Sequence, residues 1–198
     1  MKYTLRGFNH ATIGNFQDFP ASGYPEKSVK YASRSFVGKH FSPEICGLVD
    51  KAPLVGNHKH VVIDIKVHDL EPSVVPALPN WHIDSVNHPC DDRREEVNHL
   101  ICFGKCLTSF LANDLVVDIP ESGYLTKFNN FCNGQEVAII PPSRFITYGR
   151  LVHRASVSNV SERRLFIRVT ETDIISPKNQ WLKPTIVKVY NEYKKMEF

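Results

Sequence analysis

Residues 163–170 read Arg-Arg-Leu-Phe-Ile-Arg-Val-Thr, a stretch with the alternation of a β-strand. Because successive side chains of a strand point to opposite sides, Arg164, Phe166 and Arg168 would share one face. The apolar residues at 165, 167 and 169 would share the other. Two arginines on the inner face of a small apolar barrel are costly unless anions pair with them. The stretch therefore predicts a core strand with at least one arginine buried at a site for an anion.

Other segments of the chain also read as strands. Residues 60–68 are rich in β-branched side chains and alternate in part. Shorter strands are expected at 80–86, 99–104, 106–112, 115–119, 136–140, 145–148 and 151–155, the last two as a hairpin turned at 149–150. About eight short strands separated by turn residues are typical of antiparallel sandwiches and barrels, and they fit a jelly roll, or double-stranded β-helix. We expect a mainly β fold of this kind.

A few flanking helices complete the predicted fold. Ser42 could cap a helix over residues 42–51, Pro43 suits its first turn, and a second short helix is expected at 122–132. The chain length suits a single domain. We expect a jelly-roll core at 58–172, an irregular flanking or lid region at 1–57, and a closing segment at 173–198.

Composition narrows the class of protein. The net charge of +3 is too small to indicate nucleic-acid binding by itself. The cysteine count of 5 is odd and no pair has zinc-type CxxC spacing, which favours reduced thiols. The N-terminus lacks the apolar segment of a signal peptide, and no window reaches the length of a membrane span. We therefore expect a cytoplasmic protein without a membrane partner.

Residues 79–86, Pro-Asn-Trp-His-Ile-Asp-Ser-Val, contain the candidate metal ligands. On a strand His82 and Asp84 would point to the same side. His153, from a distant strand, could add a third ligand. Two histidines and one carboxylate form the facial triad of non-haem Fe(II) oxygenases, which leaves open positions on the metal. Three-ligand zinc sites also exist, so the triad does not name the metal, and among 9 histidines a chance cluster is the alternative.

Together these residues resemble the Fe(II)/2-oxoglutarate-dependent oxygenase superfamily. The pattern of that family is His-x-Asp/Glu, a long interval, a second His, and an Arg or Lys about ten residues later. His82-x-Asp84 matches the first half, and His153 followed by Arg164 matches the second. The resemblance extends over roughly residues 58–172.

The resemblance implies specific roles. His82, Asp84 and His153 would bind Fe(II) at the mouth of a double-stranded β-helix, and Arg164 would bind the distal carboxylate of 2-oxoglutarate. Arg168 is similar to a second arginine of the taurine-dioxygenase-like branch, so it could hold the substrate or the other end of the co-substrate. Thr108 lies where such enzymes often donate a hydroxyl group to 2-oxoglutarate.

The implied activity is hydroxylation with release of succinate and CO₂. We expect a small or anionic substrate, while a nucleic-acid base or a protein side chain stays open. Two alternatives also remain: a cupin-like metal enzyme that does not use 2-oxoglutarate, and a non-catalytic jelly-roll binding protein. Halogenation is disfavoured because halogenases of this family usually lack the carboxylate ligand, and Asp84 is present.

Overall fold

The fold was examined in a computed structural model, which describes residues 2–9, 12–16, 19, 23–84, 96–118, 126–173, 182–183 and 188–189. These residues form mainly antiparallel β-sheet with short helices, and none of the sheets closes on itself. The elements are β1 (Lys2–Leu5), β2 (Thr12–Ile13), β3 (Lys27–Ala32), α1 (Arg34–His40), α2 (Pro43–Val49), β4 (His60–Leu70), β5 (Val74–Val75), β6 (Glu96–Phe103), β7 (Thr108–Leu111), β8 (Leu115–Asp118), α3 (Thr126–Cys132), β9 (Val137–Ile139), β10 (Phe145–Tyr148), β11 (His153–Ala155), β12 (Glu162–Thr172), β13 (Leu182–Lys183) and β14 (Lys188–Val189).

The largest sheet, here called the large sheet, has the strand order β13-β3-β4-β12-β6-β10-β2. Its centre is the long antiparallel pair β4–β12, which runs in unbroken register from Glu162↔Leu70 to Thr172↔His60. The strands predicted at 60–68 and 163–170 are thus confirmed and slightly longer than expected. The alternation of residues 163–170 sends Leu165, Ile167 and Val169 to one face and Arg164, Phe166 and Arg168 to the other.

One face of the large sheet packs against the helices. Its apolar residues form a buried cluster with side chains of α1 and α2, including Val37, Ile45, Ile65, Ile167 and Phe145. The predicted helix after Ser42 is confirmed as α2, with the Ser42 side chain accepting a hydrogen bond from the Ile45 amide at 3.4 Å. The two helices therefore seal one side of the sheet and leave the other for the site.

The opposite face, here called the inner face, is directed towards a small sheet with the order β11-β7-β9. A second apolar cluster from both sheets includes Leu100, Cys102, Phe110, Ile146 and Tyr148. A third cluster, with Trp81 and Ile83 among its members, lies against β1, β8 and α3. The inner face thus meets a neighbouring sheet across a mixed apolar and polar layer.

Three expectations about local structure were wrong. Residues 145–148 and 151–155 do not form a hairpin, because β10 pairs with β6 in the large sheet and β11 pairs with β7 in the small sheet. The described part of the strand predicted at 80–86, residues 80–84, is not a regular strand and makes one isolated bridge, His82↔His153. The region 1–57 is not simply irregular, since β3 is an integral neighbour of β4 in the large sheet.

The remaining expectations concern the helix at 122–132, the thiols and the membrane. The described part of this helix is observed as α3, while its predicted first residues, 122–125, lie outside the described residues. Among the described cysteines, all of Cys46, Cys102, Cys106 and Cys132 are free thiols. None of the described helices has the length and apolar character needed to span a bilayer.

Candidate metal centre

A single antiparallel bridge brings the two histidines together. The His82 amide donates to the His153 carbonyl at 2.9 Å, and the His153 amide donates to the His82 carbonyl at 2.9 Å. The centroids of the two imidazole rings lie 4.5 Å apart. Although residues 80–84 are not a regular strand, this one bridge is enough to place two distant segments side by side.

Backbone carbonyls orient both imidazoles. His82 Nδ1 lies 2.7 Å from the Asn80 carbonyl oxygen, and His153 Nδ1 lies 3.0 Å from the Leu151 carbonyl oxygen. Since a carbonyl only accepts, each Nδ1 donates this hydrogen bond, and each Nε2 is the ring nitrogen that is left for a metal. Metal-binding histidines are commonly held in this way by a hydrogen bond from the second ring nitrogen.

The Nε2 atoms of both histidines face the Asp84 carboxylate. His153 Nε2 lies 3.2 Å from one of its oxygens, and His82 Nε2 lies 3.9 Å from the other. One ligand atom from each of the three residues lies within 4.8 Å of the other two. The structure thus brings together His82, Asp84 and His153, which the sequence analysis selected, as a cluster that could hold a metal ion.

The charge states also suit metal ligation. Burial, reinforced by His153, lowers the pKa of His82 to about 4, so this imidazole is neutral near pH 7. Burial alone would raise the pKa of Asp84, but the attraction of Arg168 and His153 outweighs it and holds that pKa well below its ordinary value. A neutral imidazole and an ionised carboxylate are the forms that bind a divalent cation.

Arg168 holds the Asp84 carboxylate through an ion pair. Its guanidinium bridges Asp84 and Asp64, and the Tyr148 hydroxyl donates to Asp84 Oδ2 at 3.4 Å. Burial lowers the pKa of Arg168, but the two carboxylates outweigh burial and raise it. Asp64 also accepts the Tyr31 amide at 2.7 Å. Sequence reasoning missed Asp64 and Tyr148; a charged residue in the middle of the apolar run 60–68 was the available signal.

Arg164 lies on the same face of β12 but in a different environment. It is 3% exposed; Nε donates to the Cys106 carbonyl at 2.6 Å, and Nη2 donates to Cys102 Sγ at 3.4 Å. Its Nη1 lies 3.4 Å from His68 Nε2. Within the described parts of the chain, no carboxylate forms an ion pair with it. Arg168 is four positions further along β12, roughly 13 Å away.

Thr108 lies between the metal ligands and Arg164. It is buried on β7, and its side chain hydrogen-bonds to Cys102, the same thiol that accepts from Arg164. Two residues further along β7, the Phe110 ring lies 5.3 Å from the His153 ring. The small sheet therefore covers the whole distance from the triad to the buried arginine.

Two further basic residues on β4, Lys66 and His68, lie near Arg164, and sequence reasoning did not select either. Burial, then the charges of Arg164 and Lys66, lower the pKa of His68 to about 3. Burial, then Lys30 and Arg164, lower the pKa of Lys66 to about 8. Their positions at alternate residues of a predicted strand were the only hint that they share the face of the arginines.

Comparisons of the chain with protein-family models, with curated proteins and with solved structures found no match. The function is therefore inferred from the triad and from the basic residues beside it.

Proposed function

We propose that the protein is an Fe(II)- and 2-oxoglutarate-dependent oxygenase with a jelly-roll fold, and that it hydroxylates a small or anionic substrate. One observation carries the proposal. A His82–Asp84–His153 cluster and a buried, charge-unbalanced Arg164 occupy the same interior, bounded by the inner face and the small sheet. A metal ion would bind to the cluster, and an organic anion would pair with Arg164.

The donor set fits Fe(II). Two imidazole nitrogens and one carboxylate leave open positions for a chelating co-substrate and for O₂. Asp84 retains its charge, and the Asn80 and Leu151 carbonyls orient the imidazoles before any metal arrives. The same donors also bind Mn(II), Co(II) and Zn(II), which makes those ions useful probes.

The two arginines have different partners, and we assign them different roles. Arg168 is already balanced by Asp64 and Asp84, and thus supports the metal ligand. Among the residues that the structure describes, Arg164 has hydrogen bonds to neutral acceptors only, and a buried charge without a counter-ion is unfavourable. Arg164 is therefore the anchor for the distal carboxylate of 2-oxoglutarate, and the Thr108 hydroxyl lies close to the same place.

A bound iron would activate O₂, the oxidant, and 2-oxoglutarate would supply two of the electrons, so that one oxygen atom goes to succinate with release of CO₂ and the other goes to the substrate. The residues of the chain do the rest. Asp84 and the two imidazoles fix the metal, while Arg164 and Thr108 orient the co-substrate. Phe110 and Tyr148, packed 5.1 Å apart beside His153, keep bulk water from that side of the metal. The two facing antiparallel sheets around this interior support the jelly-roll assignment.

The test is a single turnover under ¹⁸O₂. Protein with equimolar Fe(II) and 2-oxoglutarate is exposed to labelled oxygen, and succinate is measured by mass spectrometry. We expect succinate with one labelled oxygen atom from the wild type and from Lys39→Met, an exposed change on α1. Asp84→Ala should give none. Metal binding without any labelled succinate would instead favour the cupin-like alternative, and failure to bind a metal would favour the binding protein.

A further inference from the structure

Lys66 and Arg164 both lie near the ring of Phe166 on the inner face. Lys66 lies directly across β4–β12 from Phe166, and Arg164 lies across from His68. The Lys66 Nζ atom is 5.7 Å from the centre of the Phe166 ring, and the Arg164 guanidinium carbon is 5.2 Å from it. Two cations from neighbouring strands therefore converge on the same ring.

Neither cation is neutralised within the described residues. The only hydrogen-bond acceptor for Lys66 there is the Pro76 carbonyl oxygen, at 3.5 Å, the outer limit for such a bond. Asp64 lies two residues before Lys66 on the same face, but its carboxylate is shared between Arg168 and the Tyr31 amide. Two partly or fully buried cations without a counter-ion are unfavourable, so this pair calls for an anion from outside the described residues.

His68 does not supply a third charge. Its Nε2 atom accepts from Arg164, so the single proton of the neutral imidazole is on Nδ1. That Nδ1–H group is buried and has no hydrogen-bond partner in the described part of the chain. The depressed pKa of about 3 agrees with a neutral ring. His68 is thus a positioning residue that holds one edge of the Arg164 guanidinium.

We propose that Lys66 is a second cationic anchor for the distal carboxylate of the 2-oxo diacid, which it holds together with Arg164 beside the Phe166 ring. The inference rests on the proposed function and adds a residue to it. Two cations for one carboxylate make the protein strongly selective for a diacid over a monoacid of the same length. The co-substrate would then be selected by Lys66 on β4 as well as by Arg164 on β12.

Isothermal titration of the Mn(II)-loaded protein tests the inference. The ligands are 2-oxoglutarate and 2-oxopentanoate, in which a methyl group replaces the distal carboxylate. We expect Lys66→Met to weaken 2-oxoglutarate binding by about tenfold, and 2-oxopentanoate binding to stay unchanged. Lys66→Arg should restore most of the affinity. Lys39→Met removes the same charge from the exposed side of α1 and should behave as wild type.

The variants should fold, because Lys66→Met removes an unbalanced cation from a partly buried position; an unchanged or higher melting temperature is the check. Equal 2-oxoglutarate affinity in wild type and Lys66→Met would overturn the role of Lys66 and leave the proposed function intact. Wild-type protein that binds Mn(II) but not 2-oxoglutarate would overturn the proposed function itself. Equal affinity of the wild type for both acids would exclude a carboxylate anchor at Arg164 and at Lys66.

Discussion

Asp84 is the residue on which most contacts of the site converge. Its two oxygens face His82, His153, Arg168 and the Tyr148 hydroxyl. Because Arg168 is shared with Asp64, the positive charge beside Asp84 is partly cancelled before it can compete with a metal. The strength of Asp84 as a metal ligand would therefore depend on the Asp64 carboxylate, which is outside the cluster of three ligands.

Asp64→Asn should weaken metal binding. Without the Asp64 charge, Arg168 is balanced by Asp84 alone and draws the ligand carboxylate away from the metal. We expect the Co(II) affinity to fall by about tenfold, within the range for lost support of a ligand. Asp69→Asn is the control, since it removes one carboxylate from the exposed Arg163–Asp69 pair. An equal loss in both variants would mean that the effect is general electrostatics.

Acid should destabilise the protein through His68. The pKa of this residue is lowered to about 3 in the folded chain from its ordinary 6.5, mainly by burial. Between these values the unfolded chain binds a proton that the folded chain does not, so stability falls as the pH drops below 6.5. The contribution is at most about 1.4 kcal/mol per pH unit. Urea unfolding of His68→Asn should show a shallower loss from pH 6.5 to 4, and exposed His40→Asn should match wild type.

At the scale of elements, the turn between β6 and β7 positions the buried arginine. Glu162 accepts the Lys105 and Cys106 amides, each at 2.7 Å, and the Cys106 carbonyl then accepts Arg164 Nε. Gly104 begins this turn with φ of +123°, a conformation that side chains rarely adopt. An added Cβ there would lie 3.1 Å from the Glu162 carboxylate.

Gly104→Ala should therefore be costly. We expect a loss of about 1–3 kcal/mol in the free energy of unfolding, the usual range for such backbone strain. Gly38→Ala is the matched control, because Gly38 is within α1 and its added Cβ would contact nothing within 4 Å. That change should stabilise the protein by about 0.5–1 kcal/mol. Equal effects of the two substitutions in chemical denaturation would contradict the assigned strain.

Local patterns predicted some elements and not others. The alternation of residues 163–170 and the capping residues Ser42 and Pro43 are local signals, and β12 and α2 follow from them. The pairing of β10 with β6 and of β11 with β7 depends on partners more than 40 residues away, so the turn residues at 149–150 suggested a hairpin that does not form. The spacing of His82, Asp84 and His153 predicted the cluster even though its strand was wrong.

The buried partners were harder to predict for the same reason. The pairing of β4 with β12 in the observed register places Asp64, Lys66 and His68 beside the arginines. Before pairing, they are ordinary polar residues of a strand. Arg164 and Arg168 were predictable as a pair on one face, but their different surroundings were not. The contrast between a balanced and an unbalanced arginine is a property of the assembled sheet.

At the scale of the whole molecule, the interior contains two groups of side chains that can bind ions. His82, Asp84 and His153 could hold a cation, and Lys66 and Arg164 lack an anionic partner among the described residues. Ligands that bind only the folded state stabilise it by about 2.7 kcal/mol at 100 times their Kd. Binding and stability should therefore be closely linked in this protein.

Mn(II) and 2-oxoglutarate together should raise the melting temperature more than either alone, because the metal completes the chelating site. Arg164→Met should keep the increase caused by Mn(II) and lose most of the increase caused by 2-oxoglutarate. Differential scanning fluorimetry measures both. If 2-oxoglutarate raised the melting temperature of Arg164→Met and of wild type equally, its carboxylate would bind elsewhere.

The central claim is that one site holds both the iron and the 2-oxo acid. The most direct measurement is anaerobic titration of the metal-free protein with Fe(II) and then 2-oxoglutarate, followed by visible absorption. We expect the weak metal-to-ligand charge-transfer band of a chelated 2-oxo acid in wild type, and its loss in His153→Ala. Stoichiometric Fe(II) binding with no band after 2-oxoglutarate, or a band of equal strength in His153→Ala, would contradict the claim.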